Sequence, residues 1–491
     1  MSLDSIRPTV DTRHSAGKEI MTLTKRKDID MTRGPIFTQM LVFVLPLIFT
    51  NLLQVLYNAT DMIVVGLSSE PDAVGAIGTT GSFVSLIVNL FIGLSVGANV
   101  VIARHIGAGD HERASRAVHT SALVGLLVGV LGGGIGIFIS RPVMVAMGNV
   151  GKLLELSVLY TRIYFGALPF HALSNYAIAI HRAKGDTRTP LIVLSLSGLL
   201  NVGLNLFFVL VLDMSVDGVA IATGAAAAVS AAVLFANLAR DKGPCHFSLR
   251  ALHLDVTEMK QILLIGIPSG VQGALFAISN MIIQSSIIQV NNTLCDPNAA
   301  YQPIVKGSAA VANLEGFAYT AVNAVSHATI SYVSQNLGAA NYERITKVRS
   351  RAYLLDLGIA IFASGVLLLF RAPLLALYGV HNSATDALAK MAFDAAMTRM
   401  MWGIAPYALI SFMEVGAGVL RGLGRSMTST VICLITACAM RIVWINTAFR
   451  LFPTLDVIFM IYPISWTMAS IPLFFVADRI LRHMMQTKTD A

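Results

Sequence analysis

An acidic residue lies inside an apolar stretch near the start of the chain, where its charge needs an explanation. Four polar residues of this stretch share one helical face because they fall at positions i, i+3, i+4 and i+7. They are Gln54, Tyr57, Asn58 and Asp61. If the stretch crosses a membrane, an ionised aspartate there costs roughly 2.5–3.5 kcal/mol. We therefore interpret Asp61 as part of a proton or ion site, the alternative being a polar stripe that only holds helices together.

A second polar face lies near residue 320. Its members step by four residues, which places them on one side of a helix. They are Glu315, Tyr319, Asn323, His327 and Ser331. This face is too polar to contact lipid, so it either seals against neighbouring helices or lines a cavity. In a cavity, Glu315 would attract a cationic ligand and His327 could exchange a proton near neutral pH.

Other polar residues in apolar stretches complete a candidate substrate cavity. Glu414 lies seven residues before Arg421, so it is either a cavity acid or half of a structural charge pair. Asp356, Arg441 and His171 are expected to have structural roles. The cavity candidates are Gln54, Gln272, Asn280, Glu315, Tyr319, Asn323, His327 and Glu414.

The composition places these residues in a membrane protein. Of the 491 residues, 55% are hydrophobic and 13% are charged, whereas soluble domains carry about 25% charged residues. Twelve apolar segments are each long enough to cross about 30 Å of hydrocarbon as a helix. Numbered 1 to 12, they are 39–66, 73–103, 117–139, 156–180, 190–212, 216–239, 259–290, 308–338, 350–370, 393–420, 427–452 and 456–483. The sequence therefore predicts an all-α integral membrane protein with twelve transmembrane helices.

The positive charges indicate how these helices are oriented. With the N-terminus inside, the inside loops and the helix ends beside them carry 26 lysines and arginines, and the outside loops carry 6. This asymmetry follows the positive-inside rule, so we expect cytoplasmic termini and no nucleic-acid partner for the net charge of +8. Residues 1–38 lack an apolar core, so we expect a cytoplasmic tail rather than a cleavable signal. The four cysteines show no exported pair and no metal-binding spacing.

The second half of the chain repeats features of the first half. Six helices are an even number, so both copies enter the membrane in the same direction and form a parallel repeat around a central cleft. The repeat places Ile283 opposite Asp61. The fold therefore does not require a carboxylate at this position, which favours a functional role for Asp61. The matched positions are Pro46 and Pro268, Asn58 and Asn280, 107–113 and 338–344, Gly166 and Gly403, Pro169 and Pro406, and 182–185 and 421–424.

A charged stretch that contains glycine and proline separates the two copies. We predict a polar cytoplasmic tail at 1–38, an N-terminal six-helix lobe at 39–240, a cytoplasmic linker at 241–257 and a C-terminal six-helix lobe at 258–491.

Together these features resemble the multidrug and toxic compound extrusion (MATE) transporters. The likeness runs from about residue 34 to about residue 480 and rests on the order and spacing of short motifs. The residues that carry it are Pro46, Tyr57 and Asp61 in segment 1, 107–110 after segment 2, 185–190 after segment 4, Asn201 and Asn205 in segment 5, and 218–223 in segment 6.

The resemblance implies a bacterial plasma-membrane antiporter that exports cationic amphiphilic compounds in exchange for protons or sodium ions. It further implies a monomer that works by alternating access without a cofactor. It assigns the coupling ion to the aspartate of helix 1, with partners on helices 5 and 6. The corresponding residues here are Tyr57, Asp61, Asn201, Asn205 and Thr223, to which we add Asn58 from the same helical face.

Some of these residues have structural alternatives, and two positions depart from the family. Asn201 and Asn205, four residues apart, could only link helices, and Thr223 could serve a close helix contact. Asn205 stands where one branch of the family often carries a second aspartate. Phe276 stands where other branches carry a glutamate, so coupling through helix 7 is not expected.

Two other function classes remain as alternatives. A related flippase for a lipid-linked precursor would need cavity cations for phosphate groups, and Arg162, Arg399 and Arg441 are few and scattered along the chain. An intramembrane enzyme is disfavoured because the chain lacks a zinc-protease motif and a nucleophile motif beside a base. It also lacks the Walker A sequence of an ATP-driven pump.

Overall fold

Every regular element that the structure describes is a helix. The computed structural model describes residues 28–68, 70, 72–296 and 301–489, apart from the side chains of Asn58, Ser82 and Thr489. Most of the predicted tail, residues 1–27, therefore lies outside the described residues. Nine helices and two bent helix pairs in the described part are long and apolar enough to span a membrane.

A twelfth long helix, Pro303–Gly338, carries the predicted polar face and is less apolar than the others. Its polar residues are tolerated because other helices surround this helix, and 21 of its 36 residues are buried. With this helix included, the twelve spans confirm the predicted all-α fold. They are numbered here in the order of the predicted segments.

The spans have the following bounds. Spans 1 to 6 are Ile36–Val65, Ala73–Ala108, His111–Ala146, the pair Gly151–Gly166 and Leu168–Lys184, Arg188–Leu206 with the wider turn Phe207–Val211, and Val216–Ala239. Spans 7 to 9 are Val256–Leu294, Pro303–Gly338 and Tyr342–Leu369. Span 10 runs through Ala387–Arg399, Met400–Ile404 and Ala408–Gly422, span 11 through Ser426–Cys433, Leu434–Ala439 and Met440–Asn446, and span 12 is Leu455–Thr489. Short helices at Leu249–Ala251, Arg371–Leu377 and Ala448–Leu451 lie between spans.

Spans 4 and 10 are bent, whereas the sequence predicts unbroken segments. The two halves of span 4 meet at 47°, and those of span 10 meet at 46°. Pro169 and Pro406 lie at these breaks, and a proline removes one backbone donor and clashes with the preceding turn. The same break at corresponding positions is a structural sign of the repeat.

The junctions after spans 2 and 8 show the repeat at the level of the backbone. Gly109 has φ +73°, and Ala340, which corresponds to it, has φ +50° although it is not a glycine. The next residue caps the following helix in both copies. The Asp110 carboxylate accepts the backbone N–H of Arg113 at 2.9 Å, and the Asn341 side chain accepts that of Arg344 at 3.3 Å.

Glycines bring the two halves into close contact along span 2. A side chain at Gly93 would collide with the backbone of Gly270 in span 7, and one at Gly107 would collide with the backbone of Gln335 in span 8. Asn99 and Ser331 exchange hydrogen bonds of 3.1 Å across the same contact. Span 2 is therefore packed tightly against the second half of the molecule.

Residues 28–34 form a strap between the two halves, at the end of the bundle where span 12 also finishes. The Ile29 N–H donates to the Gly185 carbonyl at 3.2 Å, in the first half. In the second half, Asn336 Nδ2 and Arg344 Nε donate to the Met31 carbonyl at 3.0 and 3.1 Å. The strap and the glycine contacts close the cleft at this end, which we call the terminal end.

Candidate functional site

Asp61 lies in a closed ring of hydrogen bonds in the first half. Its side chain, on span 1, is buried. Oδ1 accepts Asn205 Nδ2 at 2.5 Å, and Oδ2 accepts the Thr223 hydroxyl at 3.1 Å. Asn201 completes the ring, because its Nδ2 donates to Thr223 Oγ1 at 3.2 Å and its Oδ1 accepts Asn205 Nδ2 at 3.3 Å. The structure thus brings together four of the six predicted coupling residues.

The ring contains no basic group. Among the described residues, no lysine, arginine or histidine lies within 4.0 Å of the Asp61 carboxylate. Asn205 Oδ1 is buried and accepts no hydrogen bond from the described residues. Buried polar oxygens normally have a partner, so the pocket has oxygen atoms but too few donors for them. Such an arrangement can take up a proton or a small cation.

Tyr57 and Gln54, two other predicted members of the helical face of Asp61, lie outside the ring. The Tyr57 hydroxyl donates to the Ser195 carbonyl at 3.3 Å, and its ring packs against Gly198. Tyr57 therefore contacts span 5 rather than the Asp61 carboxylate. The side chain of Asn58 lies outside the part of the chain that the structure describes. Gln54 is exposed and borders neither the ring nor the cavity described below.

Two tyrosines near Asp61 are missing from the sequence prediction. Tyr160 and Tyr164 on span 4 are both buried and lie within electrostatic range of Asp61. Their rings stack with centroids 6.2 Å apart, and Tyr164 also stacks on His171 at 5.0 Å. The spacing of four residues was the available signal, but tyrosines at this spacing occur in many packed helices.

A cavity of about 530 Å³ lies in the second half, against span 2. This volume suits a drug-sized ligand. It is lined by seven of the eight predicted cavity residues, namely Gln272, Asn280, Glu315, Tyr319, Asn323, His327 and Glu414. The polar face of span 8 therefore borders an open space instead of only sealing helices together. Span 2 contributes Asn89, Ile92, Gly93 and Val96 to the wall.

Charged side chains dominate one part of this cavity. Arg399 Nη2 and Glu315 Oε2 form an ion pair of 3.0 Å, and Arg399 Nη1 donates to Ser308 at 3.0 Å. Both members of the pair are largely buried, with side-chain exposures of 8% and 16%. Glu315, expected from the sequence to attract a cationic ligand, is thus already neutralised by Arg399.

Glu414 has a different environment in the same cavity. The Tyr319 hydroxyl donates to Glu414 Oε1 at 3.2 Å, and Asn323 Nδ2 donates to the same hydroxyl at 3.4 Å. Among the described residues, Glu414 and Arg421 do not approach within the 4.0 Å of an ion pair. Both line the cavity, so Glu414 can meet a ligand.

The interpretation of the intramembrane arginines as scattered is wrong for two of the three. The guanidinium carbons of Arg399 and Arg441 lie 6.0 and 4.9 Å from the centre of the Tyr462 ring. Both arginines line the cavity, whereas Arg162 is exposed on span 4. Arg399 and Arg441 are 42 positions apart in the sequence, so no local pattern indicates that spans 10 and 11 bring them together.

Comparisons with known proteins agree with this architecture. The sequence model of the MatE family matches residues 46–207 and 304–445. The chain is 27% identical to the probable multidrug resistance protein YoeA of Bacillus subtilis over 328 residues, which cover 65% of this chain and 68% of that protein. It is 25% identical to the probable multidrug resistance protein NorM of Thermotoga maritima over 354 residues, 69% of this chain and 72% of that protein.

Solved structures show the same fold. A multidrug resistance MATE family transporter in an outward-facing conformation superposes with a TM-score of 0.83 at 20% identity, covering 94% of this chain and 99% of that chain. A MOP superfamily transporter from Pyrococcus furiosus superposes with a TM-score of 0.83 at 21% identity and the same coverage. At these identities the likeness extends to the fold alone.

Proposed function

This chain belongs to the MATE family of multidrug efflux transporters, and on that premise we propose that it is an antiporter coupled through Asp61. In this proposal it exports amphiphilic cations in exchange for protons or sodium ions. The observation that carries the proposal is the Asp61 ring, in which three side chains surround a buried carboxylate that has no basic partner among the described residues. A carboxylate kept inside a membrane helix at such a cost marks an ion or proton pathway.

The ring suggests how the ion is held. The ring contains Asp61 Oδ1 and Oδ2, and the neighbouring Asn205 amide has an oxygen without a partner among the described residues. A proton would bind one carboxylate oxygen, and a sodium ion would be held by several of these oxygens. In either case the bound ion neutralises the carboxylate. This lowers the free-energy cost of keeping the site in the apolar interior while the protein changes conformation.

The cavity in the second half suits the exported molecule. Aromatic residues, including Phe276, Tyr462 and Trp466, line it, and the unpaired Glu414 would attract a positively charged group. Aromatic rings bind organic cations over their faces. We therefore assign the cationic end of the exported compounds to the wall formed by Glu414 and Tyr319.

Alternating access would couple the two sites. We propose that the lobes 39–240 and 258–491 move relative to each other, with the strap of residues 28–34 and the span 2 glycines separating when the cleft opens at the terminal end. The charge asymmetry of the loops supports a cytoplasmic location for this end. We further propose a bacterial plasma-membrane location and function as a monomer, since each chain contains both halves of the repeat.

Transport into sealed vesicles tests this proposal. Purified protein is reconstituted, and uptake of a fluorescent lipophilic cation is measured under an imposed pH gradient and then under an imposed sodium gradient. We expect one gradient to drive uptake and the other to have no effect. Uptake that is equal under both gradients and without any gradient would contradict coupled antiport.

The lipid flippase remains a second candidate because of one observation. Arg399, Arg421 and Arg441 line a single cavity, which is the cationic surface that a phosphate-bearing lipid would need. Ion-gradient-independent movement of a fluorescent lipid diphosphate between the leaflets of the same vesicles would favour this function over drug export.

A further inference from the structure

The repeat places a second polar cluster where the first half has the Asp61 ring. Spans 1, 5 and 6 build the Asp61 ring, and their counterparts are spans 7, 11 and 12. Those three spans meet at Arg441, whose Nη1 donates to Asn280 Oδ1 of span 7 at 2.9 Å. Its Nε donates to the Ser465 hydroxyl of span 12 at 3.4 Å. In the repeat Asp61 corresponds to Ile283, at an offset of 222 residues. Arg441 lies on the counterpart of the span that carries Asn201, and Ser465 lies on the counterpart of the span that carries Thr223.

The charge of this second cluster is the reverse of the first. The acid of span 1 corresponds to an apolar isoleucine, Ile283, which is 1% exposed. Where span 5 supplies amides, its counterpart span 11 supplies a guanidinium. One fold thus holds an uncompensated negative charge in its first half and a positive charge on the corresponding spans of its second half.

Arg441 has no carboxylate partner within the described residues. Its side chain is 4% exposed, and no aspartate or glutamate oxygen of the described chain lies within 4.0 Å of it. Its contacts are the neutral Asn280 and Ser465 side chains and the rings of Tyr462 and Phe276, whose centres lie 4.9 and 6.0 Å from the guanidinium carbon. A buried guanidinium keeps its charge, and burial without a counter-charge is costly.

The carboxylate of Glu315 is not available to pair with Arg441. Glu315 lies within electrostatic range of Arg441, but its carboxylate is bound by Arg399 at 3.0 Å. The other lining acid, Glu414, accepts a hydrogen bond from the Tyr319 hydroxyl. The lining of the cavity holds three arginines and two carboxylates, so one positive charge has no acid to balance it.

We propose that Arg441 binds a carboxylate of the exported molecule, so that this transporter accepts amphiphiles that carry an acidic group beside their cationic one. The inference rests on the proposed function and specifies its substrate class. Arg441 and Glu414 lie on walls of one cavity, and a zwitterionic ligand can satisfy both of them. The guanidinium offers two donors in the planar geometry that a carboxylate matches.

A matched pair of dyes tests this assignment. Rhodamine 110 carries a free benzoate, and rhodamine 123 is the methyl ester of the same dye, so the pair differs only in the acidic group. Binding of each dye to the purified full-length protein in lipid nanodiscs is measured by fluorescence anisotropy, with no ion gradient. We expect the acid to bind about tenfold more tightly than the ester, the usual effect of one hydrogen-bonded charge pair.

Variants then locate the effect. Arg441→Gln should abolish the preference for the acid and leave the affinity for the ester within about twofold, since the ester makes no charge pair. Arg441→Lys should retain part of the preference because it keeps the charge without the planar fork. Arg162→Gln removes the same charge from an exposed position of span 4 and should behave like the wild type.

The outcomes separate this inference from the proposed function. Equal affinity of the wild type for acid and ester, or a preference that persists in Arg441→Gln, would overturn the assignment of Arg441 while leaving cation export intact. Asp61→Asn should keep the preference, since it alters the ion site of the other half. A wild type that binds neither dye would contradict both the proposed function and this inference.

Discussion

The two halves of the molecule compensate their buried charges in different ways. In the first half, Asp61 has only amide and hydroxyl partners. In the second half, Glu315 is paired with Arg399, and Arg441 remains positive in every state. A carboxylate with neutral partners can gain and lose a proton or cation during a cycle, whereas an arginine cannot change its charge.

This difference suggests a division of labour within a duplicated fold. The site that must change its charge has no ion pair within the described residues, and the fixed charges lie around the cavity. A duplicated transporter can thus place coupling and recognition at corresponding spans without building two copies of either. If this division holds, a substitution at one site should leave the function of the other site unchanged.

The largest effect is expected for Asp61→Asn. The amide keeps the shape of the protonated acid, and its N–H can donate to the Thr223 hydroxyl, so the protein should reach the membrane in normal amounts. It cannot take up or release the coupling ion, so dye efflux from cells should fall to the background level. The control variant is Asp394→Asn, which makes the same change at an exposed position and should export at the wild-type rate.

Efflux at a near wild-type rate by Asp61→Asn would remove Asp61 from the coupling site. The coupling group would then have to be sought among Glu414 and the polar face of span 8, and the two halves would have exchanged the roles described here.

The comparison also requires that both halves enter the membrane in the same direction, which cysteine labelling tests. In a Cys295→Ser background, an impermeant maleimide on intact cells should label Asn382→Cys and spare Lys242→Cys, both of which are exposed positions. Permeabilised cells should show both labels. Cys245 is no control for sidedness, because it is fully buried and burial raises the pKa of its thiol to about 12. The reverse pattern would invert the topology and the charge argument that supports it.

The thermal stability of the protein should depend on the ion pair between Arg399 and Glu315. Arg399→Gln leaves the Glu315 carboxylate buried without its partner, and such a loss costs about 3 kcal/mol. The double variant Arg399→Gln/Glu315→Gln should recover most of this loss, because no charge is left uncompensated. Thermal unfolding in detergent measures both effects. Equal stability of the single and double variants would show that the pair carries no coupling energy.

The sequence was most informative where function depends on spacing within one helix. The face of span 8 and the partners of Asp61 on spans 5 and 6 could be proposed because each is a short local pattern or matches a family motif. The pair of Glu315 and Arg399 could not, because 84 residues separate its members and no local pattern links them. For the same reason, Glu315 was expected to be free for a cation.

The bends and the arginine cluster show a second limit of sequence reasoning. Hydropathy predicts where a span lies but not how its halves are angled, so the 47° and 46° breaks at Pro169 and Pro406 were not expected. Whether two intramembrane arginines meet depends on helix packing, which brings Arg399 and Arg441 to the same ring of Tyr462. The repeat could nevertheless have pointed to Arg441, because it lies on the counterpart of the span that carries Asn201 and Asn205.

The smallest effects come from removing one hydroxyl on corresponding spans, and they compare the two sites most directly. Thr223→Ala removes the donor to Asp61 Oδ2 at 3.1 Å, and Ser465→Ala removes the acceptor of Arg441 Nε at 3.4 Å. Each hydrogen bond contributes about 1 kcal/mol, or roughly a fivefold change.

Thr223→Ala should therefore slow ion-driven efflux about fivefold and leave the affinity for rhodamine 110 unchanged. Ser465→Ala should weaken rhodamine 110 binding by up to about fivefold while ion-driven efflux of rhodamine 123 proceeds at the wild-type rate. If either hydroxyl affects both measurements equally, the two sites act as one unit and the division between coupling and recognition does not hold.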